Sequence, residues 1–243
     1  MRLLRELFRL AVEHLGYTVH RWPANRFDGT SDVMRLLRQA GYLPRVIIDG
    51  GANMGTWTRM ARTIFPSATF HIIEPQPACR EALDDLSRRM PGLVVHPVAL
   101  TKPGTSQVRI VGGGVTGGGT GGWVALRGEW EPGAVECPAT TLDCLLADHV
   151  VREDRALLKL DLEGHELTAL QGAARLLDVV EVLLTELQFF DINDGGCPVF
   201  ADLLEFLRAG GFELYDFACL AARPRDLRLR MGDAVFEIGR AHV

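Results

Sequence analysis

The sequence predicts an α/β fold, a mostly parallel sheet with helices on both faces. Three observations carry this. From residue 45 onward, apolar stretches of strand length alternate with stretches of helical period. A glycine-rich turn, "DGGANMG", follows the first of those strands. Finally, 47% of the 243 residues are hydrophobic, enough for one sizeable core.

Taken in order, the chain opens with "MRLLRELFRLAVEHL", where Leu3, Leu4, Leu7, Phe8, Ala11 and Leu15 recur at helical spacing. Packing against the domain body is the plain reading of that apolar face. A subunit interface joining a homo-oligomer, a substrate-side cap and a membrane surface are the others. Arg5, Glu6 and Arg9 interrupt the apolar residues, so the segment does not read as a signal peptide. "DVMRLLRQAGYLP" gives a second helix, stopped by Gly41 and Pro44. Residues 1–44 therefore read as an N-terminal helical extension and 45–243 as one domain.

In that domain "RVIID" is a buried strand, "GTWTRMARTIF" a helix, "ATFHIIE" a strand, "PACREALDDLSRRM" a helix and "LVVHPVAL" a third strand. Such an interval means parallel pairing through right-handed crossovers. The insertion at 105–137 breaks the rhythm, with eight glycines between Gly112 and Gly122. Its backbone has little preference of its own, which suits a mobile hairpin tip or a lid that orders over substrate. It is not a phosphate loop, because no G-K-[ST] follows. Alternation then resumes: helix "TTLDCLLADH", strand "RALLKLDLEG", helix "HELTALQGAARLL", strand "VVEVLLTEL", helix "VFADLLEFLRAGG" and strands "FELYDF" and "DAVFEIG". The main sheet should hold about seven strands.

Composition narrows the function. The net charge of −5 does not favour nucleic acid, although residues 1–45 carry a local balance of +4. No apolar run reaches the length of a membrane span. Five cysteines without C-x-x-C spacing point to neither a zinc site nor a disulfide framework, and a reducing, cytoplasmic setting is the simplest expectation.

The glycine turn brings backbone close to a nucleotide-like ligand. Gly50, Ala52 and Gly55 approximate a dinucleotide fingerprint, and Glu74 ends the second strand where an acid would hold ribose hydroxyls. Neither feature separates NAD(P) from S-adenosylmethionine. Asp49 does: beside a pyrophosphate it meets like charge, whereas beside an ammonium and a sulfonium it meets opposite charge. Gly51 and Gly55 would let the main chain approach the methionine portion. The plain alternative makes Asp49 a turn or helix-capping residue.

Four segments in order, "IDGGANMGTWT", "HIIEPQP", "TTLDCLL" and "LLKLDLEGHELTALQGA", resemble the FkbM family of S-adenosylmethionine-dependent methyltransferases over roughly residues 45–240. The most specific element is Lys159-x-Asp161-x-Glu163-Gly164-x-Glu166, followed by Leu170-x-Gly172-Ala173. The resemblance implies a class I methyltransferase, Rossmann-like fold of seven strands, with the last antiparallel and inserted near the edge. It also implies that Asp49, Gly51, Asn53 and Gly55 line the methionine end and that Glu74 takes the ribose. Pro75 and Gln76 would lie beside the adenine, with Val98 and Ala99 on its other face. A carbohydrate or secondary-metabolite acceptor is implied too.

"KLDLEGHE" ends a strand at the sheet edge where such folds bind ligands, and alternation sends Lys159, Asp161 and Glu163 one way. In-line methyl transfer to a hydroxyl needs alignment and a proton acceptor. Asp161 is the candidate for a donor or acceptor contact. His165 is a candidate base, or else a surface histidine at a helix start. Glu163 belongs to the catalytic set or, with Glu166, caps the helix. Asp161 or Glu163 with Glu186 would make an oxygen-rich Mg²⁺ site, or a hydroxyl clamp. His71, His96 and His149 read as scattered residues, structural or exposed, and Trp57 as core. Trp123 and Trp130 would either stack on a sugar or be buried singly. O-methylation of a glycan or macrolide-type hydroxyl is the leading expectation. N-methylation of a small molecule or peptide, an NAD(P)-dependent oxidoreductase and a non-catalytic binding module are the rivals.

Overall fold

The computed structural model describes residues 11, 12, 14, 15, 27–111, 122–125, 133–191 and 197–239, without the Trp123 side chain. Residues 1–10 of the amphipathic N-terminal segment, the Gly112–Gly121 tract and Trp130 lie outside these residues.

Among the described residues, seven strands form the main sheet. They are β1 (Val46–Gly50), β2 (Thr69–Ile73), β3 (Leu93–His96), β8 (Ala156–Leu160), β9 (Val180–Gln188), β10 (Phe212–Ala222) and β11 (Leu229–Ile238). Their order is β3-β2-β1-β8-β9-β11-β10. All pairs are parallel except those of β11, which runs antiparallel between β9 and β10. This is the class I methyltransferase topology, with its last strand inserted one place from the edge.

Two apolar layers sandwich the sheet. On one face pack α1 (Asp28–Gln39), α2 (Thr56–Ile64) and α3 (Arg80–Arg89). On the other pack α4 (Leu142–Leu146), α5 (Glu166–Leu170), α6 (Ala174–Leu177) and α7 (Phe200–Ala209). The strands β1 and β8, buried along their whole length, are covered on both sides, which is why they read as continuous apolar runs. Helix α1 shares the core of α2 and β1 through Val33, Met34 and Leu37. This part of the N-terminal extension thus belongs to the packed body.

Three elements differ from the sequence expectation. "LVVHPVAL" is two strands: Pro97 ends β3, and β4 (Ala99–Leu100) joins a second sheet with β5 (Gln107–Val111), β6 (Trp123–Val124) and β7 (Val135–Thr140). Thr140 therefore closes β7, and Thr141 is the N-cap of α4, its hydroxyl accepting from Cys144 N at 3.0 Å. The segment 165–177 is two short helices rather than one. At Gly172, between them, a Cβ would lie 2.4 Å from the Thr101 carbonyl oxygen. No helix among the described residues is long and apolar enough to cross a membrane.

Candidate active site

The cleft opens at the carboxyl ends of β1, β2 and β8 and is continuous with solvent. Parallel strands leave their last side chains and their turns at this edge, so one sheet edge gathers residues far apart in sequence.

At the end of β1 the chain turns through Gly51 and Gly55, both with left-handed φ, of 74° and 72°. A Cβ on Gly51 would sit 1.9 Å from the Asp161 carbonyl oxygen, so this glycine lets β1 and the β8 turn close on each other. On Gly55 a Cβ would meet Leu86 Cδ2 at 2.5 Å, inside the core. Both glycines are thus required by protein packing. Asn53, also left-handed at φ 48°, directs its N–H to Glu74 Oε2 at 2.7 Å. Glu74 Oε1 accepts from Gln76 N at 2.9 Å. Two main-chain donors therefore fix one buried carboxylate in the cleft wall. Burial pushes the Glu74 pKa up, and these donors together with Lys159 hold it back.

Asp49 is fully buried and does not line the cleft. Its carboxylate pairs with Lys159 Nζ at 2.9 Å and accepts from the Thr58 hydroxyl at 2.5 Å. The charge that sequence reasoning aimed at a ligand is thus turned toward Lys159. Lys159 lines the cleft, donates to the Gly50 and Gly51 carbonyls at 3.2 and 3.1 Å, and lies 3.7 Å from Asp161 Oδ2. Burial opposes its charge, but Asp49 and Asp161 outweigh burial and hold its pKa above the ordinary lysine value.

Past Leu160 the strand ends, and strict alternation with it. Glu163 has a left-handed φ of 54° and Gly164 one of 95°, and Asp161, Leu162 and Glu163 all reach the cleft. The buried Glu166 accepts from Leu162 N at 2.6 Å and Gly164 N at 3.3 Å, stapling this turn. Burial lifts its carboxyl to about pH 7. His165 also lines the cleft. It is buried, and neither ring nitrogen has a hydrogen-bond partner. Burial, then Lys102, pulls its pKa down to about 4, so the ring is neutral at pH 7.

Pro75, Gln76, Val98 and Ala99 line the cleft opposite this turn, and the buried Gln76 Oε1 has no partner. Ile110, Gly122 and Val124, at the roots of the glycine-rich insertion, form a further wall. Glu186, one strand beyond β8, does not join Asp161 and Glu163 as a ligand set. Among the described residues no three His, Cys, Asp or Glu side chains are placed to hold a metal ion. Burial first, then Asp161, Glu166, Glu163 and Asp233, push Glu186 up to about pH 10, so it keeps its proton. His71 and His96 are not scattered. They stack across β2 and β3 at 5.3 Å with Nδ1 and Nε2 3.0 Å apart.

Residues 49–214 match the methyltransferase FkbM domain. The chain belongs to that family. The FkbM domain thus spans every cleft element from Asp49 through the β8 turn. Hexuronic acid methyltransferase AglP of Haloferax volcanii is 25% identical over 170 residues, which cover 68% of this chain and 65% of that protein. Among solved structures, WbdD has a TM-score of 0.51 at 12% identity, over 90% of this chain and 42% of WbdD. The FkbM methyltransferase of Methylobacillus flagellatus KT has a TM-score of 0.48 at 15% identity, over 79% of this chain and 43% of its own. The WbdD likeness speaks to the fold alone.

Within the FkbM domain, sequence reasoning missed Thr58, the Lys159–Asp49 pair and the cleft-facing Leu162. One signal was available: Lys159 is one of only two lysines and lies in an otherwise apolar strand.

Proposed function

We propose that this chain is an S-adenosylmethionine-dependent O-methyltransferase acting on a hydroxyl of a carbohydrate or secondary-metabolite acceptor. The observation that carries this is the cleft's polar lining. Glu74 is pinned at the end of β2, and Gln76 Oε1 and His165 are buried without partners. Buried polar atoms are rarely left unpaired, so these fit a polar ligand held between them. The charged residues described in the lining are Glu74, Asp161, Glu163 and Lys159. Three acids to one base suit a cationic donor better than a pyrophosphate, which weighs against the NAD(P) reading.

When bound, S-adenosylmethionine supplies an electrophilic methyl carbon. Glu74 would hold the ribose hydroxyls, with Pro75 and Gln76 beside the adenine and Val98 and Ala99 on its other face. Asn53, with the main chain of Gly51, would border the methionine end; Gly55, outside the cleft lining, only shapes the turn, and Asp49 acts there only through Lys159. Neutral His165 would accept a hydrogen bond from the acceptor hydroxyl and orient its lone pair in line. His165 would take the hydroxyl proton as the methyl carbon leaves sulfur for oxygen, and Asp161 and Glu163 would hold the neighbouring hydroxyls. The AglP likeness favours an acidic sugar as acceptor, and Ile110, Gly122 and Val124 wall the cleft that would receive it.

The test is transfer of labelled methyl from S-adenosylmethionine to a panel of uronic acids, neutral sugars and amines. His165→Asn and Asp161→Asn should lower kcat about 10²-fold, with S-adenosylhomocysteine affinity changed little for His165→Asn. Full activity of a variant lacking Asp161, Glu163 and His165 side chains would instead point to a nitrogen acceptor.

A further inference from the structure

The turn between β10 and β11 with the first two residues of β11, "RPRDLRLR" at 223–230, has no part in the cleft just described. β11 runs antiparallel to both β9 and β10, so β10 leaves the sheet at its carboxyl edge, the edge on which the cleft opens. The hairpin carries Arg223, Arg225, Arg228 and Arg230 against a single acid, Asp226, in a chain whose net charge is −5. Arg223 pairs with Asp226 at 2.5 Å, and Asp226 also accepts from Arg228 N at 3.2 Å. The Arg223 and Arg228 guanidiniums lie 5.1 and 4.5 Å from the Phe190 ring centroid. The base of the hairpin is thus braced and its one acid neutralised, leaving the exposed Arg225 and Arg230 to present their charge to solvent.

At the tip stands Leu227, 78% exposed and held at a left-handed φ of 60°. A leucine there gives up apolar burial and adopts a backbone that L-residues disfavour. Leu229 beside it is 39% exposed and alternates with Arg228 and Arg230. A small anionic sugar would use the arginines but has no use for a leucine presented to water. Apolar side chains set among arginines match a bilayer interface, where the leucine enters the acyl boundary and the arginines meet anionic headgroups. We propose that this hairpin docks the protein on an anionic membrane surface, with the cleft edge turned toward it. The inference concerns where the chain works and does not depend on the reaction proposed above.

The experiment is co-sedimentation of the full chain with phosphatidylcholine vesicles, with or without roughly a third phosphatidylglycerol, at low and high salt. The expected result is partitioning onto the anionic vesicles alone, weakened by salt. Leu227→Gly suits the left-handed backbone and so preserves the fold, yet should lower partitioning about tenfold. Arg225→Gln with Arg230→Gln should lower it on the order of twentyfold and flatten the salt response. An unchanged thermal midpoint in each variant shows that the fold is intact. No anionic preference, or binding that survives both variants, overturns the proposal. So does a dimer in vesicle-free solution that Leu227→Gly dissociates, because a second copy would then cover the leucine. Retention of soluble glucuronic acid through Arg225 and Arg230, without vesicle binding, overturns it too.

Discussion

Replacing Lys159 with Met removes the ammonium while keeping the length and most of the volume of the side chain. Asp49 is 0% exposed, and without Lys159 its charge would face only the Thr58 hydroxyl. The carbonyls of Gly50 and Gly51 would also lose a donor. Removing one partner of a buried ion pair costs about 3–5 kcal/mol, most of it from the stranded charge. Lys159→Met should therefore destabilise by about that amount in urea unfolding at pH 7 without ligand. The double variant Lys159→Met/Asp49→Asn strands no charge and should recover all but about 1–2 kcal/mol. The double variant should thus stand about 2–3 kcal/mol above Lys159→Met, and because Asp49→Asn alone strands the buried ammonium, the coupling of the full cycle is at least that large, well above what independent sites show. A single variant costing under about 1 kcal/mol, or a cycle without coupling, would refute the claim that this pair ties β1 to β8.

Gly51→Ala should cost over about 3 kcal/mol in the ligand-free protein, since its Cβ would collide with the Asp161 carbonyl. Gly41→Ala, at φ 93° with nothing within 4 Å, should cost only the backbone penalty of about 1 kcal/mol; equal thermal losses would remove the steric argument. Glu186 has a folded pKa near 10 against an unfolded value near the ordinary carboxylate. Its neutral form is favoured by the fold, so its contribution is full below the unfolded pKa and is lost as pH rises through 10. Burial lowers His165 and His71 to about 4, so their contribution has the opposite slope and is complete above about pH 6.5. Stability should then fall from pH 7 to 9 by about 2–3 kcal/mol, and Glu186→Gln should flatten that decline; a wild-type-like slope in the variant would reassign it. Glu74→Gln should weaken S-adenosylhomocysteine binding about tenfold by calorimetry, and unchanged affinity would remove Glu74 from the ribose role.

The alternation of strand and helix was legible because β1 and β8 are buried on both faces and their neighbouring helices keep a clear apolar stripe. The count of seven strands followed from the alternation, and the antiparallel last strand near the edge from the family likeness. The second sheet was not legible: its strands flank a glycine tract without periodicity, and β6 is two residues long. In the site, the cleft edge was readable because Glu74 and Asp161 stand at or just past strand ends. Asp49 was misdirected because its partner lies 110 residues away, and only the β1–β8 register sets Asp49 beside Lys159. The His71–His96 contact likewise depends on β2–β3 register. Leu227 carries no periodic signal, since its meaning lies in exposure and φ.

Calorimetric titration of the full chain with S-adenosylhomocysteine, with NAD⁺ run in parallel, tests the account most directly. The cleft as read here predicts binding of S-adenosylhomocysteine and none of NAD⁺. Binding of NAD⁺ alone would contradict the assignment of Glu74, Gln76 and the acidic lining to a methyl donor.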